Sequence, residues 1–300
     1  MQPNKKANLF IVGAMKAGTT SFCETLGEHP CIYFAPIKEP NYFVSNLPSQ
    51  IFKESPYFSI DNYFAKEFPT PLHIAHLRKA THYSKLYEMA KEQKYLAEGS
   101  TAYLHAPESA ELIFEYNPEA KIIILVRDGL KRAFSHYKMD VGLGKTNQSF
   151  KDAIQKDIDE YNGGTENNWS YLGMSLYHKN ILRFKEYFGD NVLVLDFDEL
   201  IRNQEKEFEK LFEFLAIKRI PLGLKKTNES ANIRFKKILY LLKQSGIKDF
   251  LSNALPKKLR HKIFRSIQKK EAPKMILTEK MRTEIETIFT TDQAKLKLKC

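Results

Sequence analysis

One stretch constrains this chain more than any other: FIVGAMKAGTTSF, from Phe10 to Phe22. An apolar run enters a turn bracketed by Gly13 and Gly18, and Thr19, Thr20 and Ser21 follow. That order predicts a buried strand, a tight loop and the first turn of a helix. Unpaired amides and the positive end of the helix dipole then form an anion site. In the G-x-x-x-x-G-K-[ST] loop that holds nucleoside triphosphates, lysine directly follows the second glycine and reaches the β- and γ-phosphates. Thr19 occupies that place here, and the lysine has moved back to Lys16. Within the loop its ammonium suits a bridging oxygen better than a terminal phosphate. The expected anion contacts are Lys16, Ala17 and Gly18 in the loop and the hydroxyls of Thr19, Thr20 and Ser21.

A strand feeding such a loop needs a sheet around it. Apolar runs recur at 9–12, 31–34, 95–97, 121–126 and 192–195, and KIIILV (Lys121–Val126) is continuously apolar, as a strand covered on both faces should be. Helical periodicity fits 19–28, 81–91, 107–116, 130–141, 175–188 and 204–215. This alternation predicts an α/β fold: a P-loop-like three-layer arrangement with a central, mostly parallel sheet flanked by helices and right-handed crossovers. With 43% apolar residues the chain can bury a substantial core. A single domain over 1–300 is expected, its core at about 9–217, with a basic helical region over about 226–300 beyond a soft boundary near Pro221–Lys226.

A second anion contact is expected in LVRDGLKRAFSHY (Leu125–Tyr137). Arg127 ends the apolar strand, Ser135 falls eight residues later, and ligands of open parallel sheets bind beyond the carboxyl ends of the strands. Arginine offers a fork of donors suited to a phosphate monoester. The ligand would then carry two separate anionic groups. No run of about eighteen apolar residues predicts a spanning helix. The N-terminus enters a strand almost at once, leaving no room for a signal peptide. Cys23, Cys31 and Cys300 match neither a disulfide framework nor a zinc pattern. A reducing, cytoplasmic setting is the expectation.

Four segments carry a resemblance: GAMKAGTTSF (13–22), KEPNYF (38–43), EGSTAYL (98–104) and KIIILVRDGLKRAFSHY (121–137). In order and spacing they resemble sulfotransferases, most of all the bacterial and heparan-sulfate-type carbohydrate sulfotransferases. SLYHKNILRFKEYFGDNVLVLDFDELIRN (175–203) extends the similarity, which covers at least 9–217. The resemblance implies a sulfuryl donor, 3′-phosphoadenosine 5′-phosphosulfate (PAPS). Its 5′-phosphosulfate would lie in the first segment and its 3′-phosphate against Arg127 and Ser135, leaving adenosine 3′,5′-bisphosphate as product. Such a donor has no triphosphate for a lysine at position 19 to meet. No metal site is expected.

By the same resemblance, Glu39 is the general base and Lys16 serves the departing phosphate oxygen. Lys38, beside Glu39, favours the ionised carboxylate. Asn41 stands where the heparan-type enzymes often carry histidine, and Gly99 near one of their lysines, so acceptor contacts do not carry over wholesale. Glu98 is a candidate acceptor contact or a structural acid, and Lys38 a candidate acceptor contact. Arg234, in NESANIRFKK, is the candidate for a late 3′-phosphate contact. Trp169 and Tyr171 are open between stacking on adenine and ordinary packing.

The charge of +11 concentrates between Ile233 and Lys270, with twelve Lys or Arg and one acid. Three readings stand for this region: a flap offering charge to an anionic saccharide, an interfacial helix meeting lipid-linked acceptors at the inner membrane face, and a packed lid with a basic exterior. No nucleic-acid reading module accompanies the charge. The expected partner is a carbohydrate or lipid-linked saccharide. Two rivals remain at this point. A P-loop kinase or nucleotide hydrolase would use Asp196 for magnesium, and a non-catalytic polyanion-binding protein would keep the scaffold alone.

Overall fold

A computed structural model of the chain describes residues 5–165, 167–224, 232–233, 236–245, 259, 268–269 and 274–297. Its centre is a five-stranded sheet made from the five apolar runs: β1 (Leu9–Gly13), β2 (Ile32–Phe34), β5 (Tyr95–Glu98), β6 (Lys121–Val126) and β7 (Val192–Asp196). The strand order is β2-β5-β1-β6-β7, and every pairing is parallel. All of β1 and the four central residues of β6 are buried, so neither strand can alternate polar with apolar residues. Because β1 is central, with β5 on one side and β6 on the other, chain direction switches at its C-terminal end. That is where open α/β sheets bind ligands.

Helices flank the sheet in the three-layer α/β arrangement. The first, α1 (Thr19–Leu26), packs Phe22 flat against Phe208 of α9 (Gln204–Leu215), ring centroids 6.5 Å apart. On α9 the buried residues Phe208, Leu211, Phe212 and Leu215 recur at helical spacing, giving one apolar stripe. Elsewhere α4 (Ser109–Tyr116) meets α7 (His178–Phe188) through Phe114 and Phe188, 5.5 Å apart. The remaining α-helices among the described residues are the short α2 (Ile60–Asn62), α3 (Ala80–Lys85), α5 (Gly129–Leu143), α6 (Phe150–Asn162), α8 (Phe197–Arg202), α10 (Lys236–Gln244) and α11 (Glu279–Lys297).

Several elements depart from the sequence expectation. Helix α3 stops at Lys85, six residues early, where Leu86, Tyr87 and Ala90 continue only as turns. Helix α7 begins at His178 because residues 173–175 form a separate 3-10 turn. A second, two-stranded parallel sheet pairs β3 (Ile37–Glu39) with β4 (Leu72–Ile74), and neither strand is apparent in the sequence. Helix α11 packs Met281, Ile285, Ile288 and Phe289 into a second hydrophobic cluster with α5 and α6. Gly129 allows that contact, since a Cβ there would stand 2.7 Å from the Phe289 ring. Among the described residues no helix is long and apolar enough to cross a membrane.

Candidate active site

The loop between β1 and α1 forms the cradle. Gly18 takes a left-handed φ of 81° at the N-cap of α1 and leaves the first-turn amides without a side-chain cap. A Cβ at Gly18 would lie 2.0 Å from the Phe197 ring, so glycine is required there by both conformation and space. Lys16 also has positive φ, 71°, which for a residue with a Cβ costs about 1–2 kcal/mol. The Ala17 amide turns inward to the Ala14 carbonyl at 3.0 Å, so its part in the cradle is to shape the turn. Thr19 and Ser21 are buried in the first turn, and Thr20 is half-buried beside them.

Two arginines hold this loop by its carbonyls. Arg127, just past β6, donates to Lys16 O at 3.3 Å and stacks over Phe197. Arg132, on α5 and wholly buried, donates to Met15 O (3.4 Å), Tyr171 O (2.6 Å) and Ser175 Oγ (2.6 Å). Arg132 was not foreseen. Its place one turn before Ser135 was the available signal, but nothing in the sequence says that it faces inward. Among the described residues Lys16, Arg127 and Arg132 form no ion pair within 4 Å, and they make a positive cluster with Lys138. Burial and then the charges of Lys138, Arg127 and Arg132 lower the pKa of Lys16. The Nε of Arg127 is buried without a hydrogen-bond partner. A bound anion would answer both features. Ser135 lies half-buried two turns along from Arg127.

Glu39 ends β3 as a largely buried carboxylate. Its Oε1 pairs with Lys38 Nζ at 2.7 Å, and its Oε2 accepts from Thr101 Oγ1 at 2.8 Å. Asn41 fixes the chain just beyond, with φ 49° and its side-chain amide donating to Glu39 O and Ala75 O. Its own N–H donates to Ser100 Oγ, which in turn donates to Glu98 Oε2 at 2.6 Å. Glu98 is sealed from solvent and also accepts from Tyr83 (2.7 Å) and Tyr103 (3.0 Å). Burial pushes its carboxyl up to about 7 against the pull of these hydroxyls. Thr101 and Ser100 were also unforeseen, although EGSTAYL contains them, and Asn41 was marked only as standing in place of a histidine. Across the small sheet, Ile37 pairs with Leu72 and Glu39 with Ile74, so His73 stands level with Lys38. Loss of hydration, and then Lys38, lower its pKa.

Other expectations fall elsewhere. The Asp196 carboxylate accepts from the amides of Asp198 and Glu199 and so caps α8. Tyr171 donates from its hydroxyl to Asp140 at 2.9 Å, and Trp169 meets His105 edge-on. Arg234 lies outside the described residues.

The switch point of the sheet thus brings together a glycine-bracketed loop, a cationic cluster and a buried carboxylate, a candidate site for an anionic ligand. Residues 8–221 match the sulfotransferase family, and the chain belongs to it. Heparan sulfate glucosamine 3-O-sulfotransferase 5 of Mus musculus is 25% identical over 209 residues, covering 69% of this chain and 52% of that protein. Membrane-associated sulfotransferase kil1 of Dictyostelium discoideum is 28% identical over 142 residues, covering 47% of this chain and 25% of that protein. The chain therefore spans about half the length, or less, of these curated relatives. A crystal structure of a sulfotransferase from Alicyclobacillus acidocaldarius shares the fold, with TM-score 0.63 and 23% identity over 98% of this chain and 95% of that one.

Proposed function

We propose that the protein transfers a sulfuryl group from PAPS to a hydroxyl of a carbohydrate acceptor. The observation that carries this reading is the pairing of a cationic loop with a buried carboxylate that accepts from Lys38 and Thr101. Carbohydrate as acceptor is supported by the heparan sulfate relative and by carbohydrate sulfotransferase 15 of Mus musculus, 22% identical over 244 residues.

The residues present fit such a donor. The α1 amides and Lys16 suit its 5′-phosphosulfate, and the partnerless Nε of Arg127, with Ser135, suits a 3′-phosphate. When bound, PAPS supplies an activated sulfuryl group on a good leaving phosphate. Glu39 takes the proton of the attacking hydroxyl onto its carboxylate. Lys38 and Thr101 hold that carboxylate in one orientation, which reduces the reorganisation needed at the moment of transfer. Lys16 meets the charge left on the departing phosphate oxygen. An anion there offsets the burial of Lys16 and the repulsion from Lys138, Arg127 and Arg132, and so favours its ammonium form.

Calorimetric binding of adenosine 3′,5′-bisphosphate beside ADP, each with and without magnesium, tests the reading. A 3′-phosphate held by charged hydrogen bonds should contribute about 1.5–3 kcal/mol, roughly a tenfold to hundredfold preference for the bisphosphate. Preference for ADP, and only with magnesium, would overturn it.

A further inference from the structure

Strand β4 brings to the site a residue that the proposed reaction leaves without a role, His73. In the two-stranded sheet Ile37 pairs with Leu72 and Glu39 with Ile74, which sets His73 beside Lys38 of the adjacent strand. Neighbouring strands lie about 4.8 Å apart, and side chains level with one another leave the same face of the sheet. Ile37 and Glu39 occupy the other face and are buried, Ile37 completely. Lys38 and His73 share the more open face, from which Lys38 turns its ammonium back to Glu39 Oε1 at 2.7 Å.

That face borders the helix of the cradle. The Gly99 amide donates to Lys38 O at 3.1 Å, and a Cβ at Gly99 would stand 2.8 Å from Cys23 Sγ of α1 and 3.8 Å from Lys38 O. Strand β3 and α1 therefore lie side by side, with no room at that point for a side chain between them. The charged groups that act on His73 are Lys38 and Glu39 from β3, Lys16 from the loop and Glu24 from α1. Three of these four belong to the proposed site, so the imidazole stands at its mouth.

His73 is also exposed, and among the described residues its ring takes part in no hydrogen bond or ion pair. His76, three residues along, shows the contrast: it is buried, with one ring nitrogen at Val44 O (2.8 Å) and the other at Arg78 (3.5 Å). Loss of hydration and then the Lys38 charge hold His73 below its ordinary pKa, so at pH 7 the ring is neutral, one nitrogen donating and the other accepting. Both Glu39 oxygens are already engaged, by Lys38 and Thr101. Holding a second hydroxyl of the acceptor then falls to a neighbouring group with open donor and acceptor positions.

We infer that His73 is an acceptor-binding residue, its imidazole hydrogen-bonding a second hydroxyl of the saccharide beside the one that Glu39 deprotonates. The inference rests on the acceptor reading proposed above.

The test uses the full chain, labelled PAPS and three probe saccharides: N-acetylheparosan, chondroitin and triacetylchitotriose. With whichever probe accepts sulfate, His73→Ala should raise KM at least tenfold, change kcat less than threefold and leave the affinity for adenosine 3′,5′-bisphosphate unchanged. His73→Gln keeps one donor and one acceptor and should recover most of that loss. As pH falls from 7.5 to 5.5 the natural ring gains a proton and loses its accepting nitrogen, so KM should rise. The glutamine variant has no such group, and its KM should stay level relative to the natural protein, with any titration of Glu39 common to both. An unmoved KM in His73→Ala overturns the inference, and so does a glutamine variant that keeps the natural pH dependence. A parallel loss of bisphosphate affinity overturns it as well, by assigning the residue to the donor side or to the fold. Transfer to none of the probes, with the bisphosphate still bound, overturns it together with the carbohydrate reading and spares the donor. Failure of the bisphosphate to bind removes the donor reading and this inference with it.

Discussion

Thr101 Oγ1 donates to Glu39 Oε2 at 2.8 Å, while Lys38 Nζ takes the other carboxylate oxygen at 2.7 Å. The base role proposed for Glu39 makes this bond a positioning device. Thr101→Val keeps the shape and removes the donor. We expect stability to fall by about 1 kcal/mol, the usual net worth of one hydrogen bond. Sulfuryl transfer should fall by about tenfold in kcat while bisphosphate affinity stays unchanged. Thr101→Ser should restore the rate. Equal losses in the Val and Ser variants would show that the threonine methyl packs, and the hydroxyl does not orient the base.

The main sheet was legible because each of its strands carries a run of apolar residues, written most clearly in β1, β5 and β6, which are buried on both faces. Gly13 and Gly18 were legible as the bracket of a strand-to-helix loop because a turn with positive φ needs the backbone freedom of glycine. The strands β3 and β4 were not, since three residues are too few to show a period of two. Helix α6 carried a readable signal that went unused: Ser149 caps the Asp152 amide, and Phe150, Ala153, Ile154, Asp157 and Ile158 recur on one face. Arg132 and Thr101 were illegible for a different reason. Their roles depend on carbonyls and a carboxylate brought close only by the crossover connections, and no local pattern marks such a partner.

Glu98 makes stability depend on pH in a direction opposite to the usual surface acid. Its carboxyl is pushed from 4.5 up to about 7 by burial. Below pH 4.5 both folded and unfolded chains hold the proton, and the shift has no effect. Between 4.5 and about 7 the unfolded chain releases it first, so this group's contribution falls as pH rises, and the full loss of about 3 kcal/mol persists above 7. Urea unfolding of the natural protein and Glu98→Gln across pH 4.5–8 should show the difference between them changing through that window. A difference that does not vary with pH would mean that Glu98 ionises normally in its hydroxyl nest.

Asp292 ties the C-terminal helix to the site. Its Oδ2 accepts from the amides of Tyr177 (2.7 Å) and His178 (3.0 Å) and so caps α7 from outside, while the Tyr177 hydroxyl donates to Arg127 O. Asp292→Ala should cost about 1–2 kcal/mol, the range for a helix N-cap. Thr291→Ala, one residue away at an exposed position whose hydroxyl donates to Thr287 O of the same helix, should change stability by less than about 0.5 kcal/mol. Denaturant midpoints of the two variants decide this, and equal effects would argue that α11 is held by its apolar face alone.

Gly18 and Phe197 give the sharpest test of the cradle. Any Cβ at position 18 faces two separate penalties. The left-handed φ of 81° costs roughly 1–2 kcal/mol for an L residue, and overlap with the Phe197 ring at 2.0 Å adds about 1–3 kcal/mol as overpacking. Gly18→Ala should therefore lose about 3 kcal/mol. Phe197→Leu opens space, relieves only the second penalty, and removes the ring over which Arg127 stacks. In a double-mutant cycle the two changes should couple favourably by about 1 kcal/mol or more, leaving Gly18→Ala/Phe197→Leu still less stable than Phe197→Leu by the conformational term. Additive losses would mean that the ring moves aside freely, and glycine would then be needed at position 18 for its φ alone.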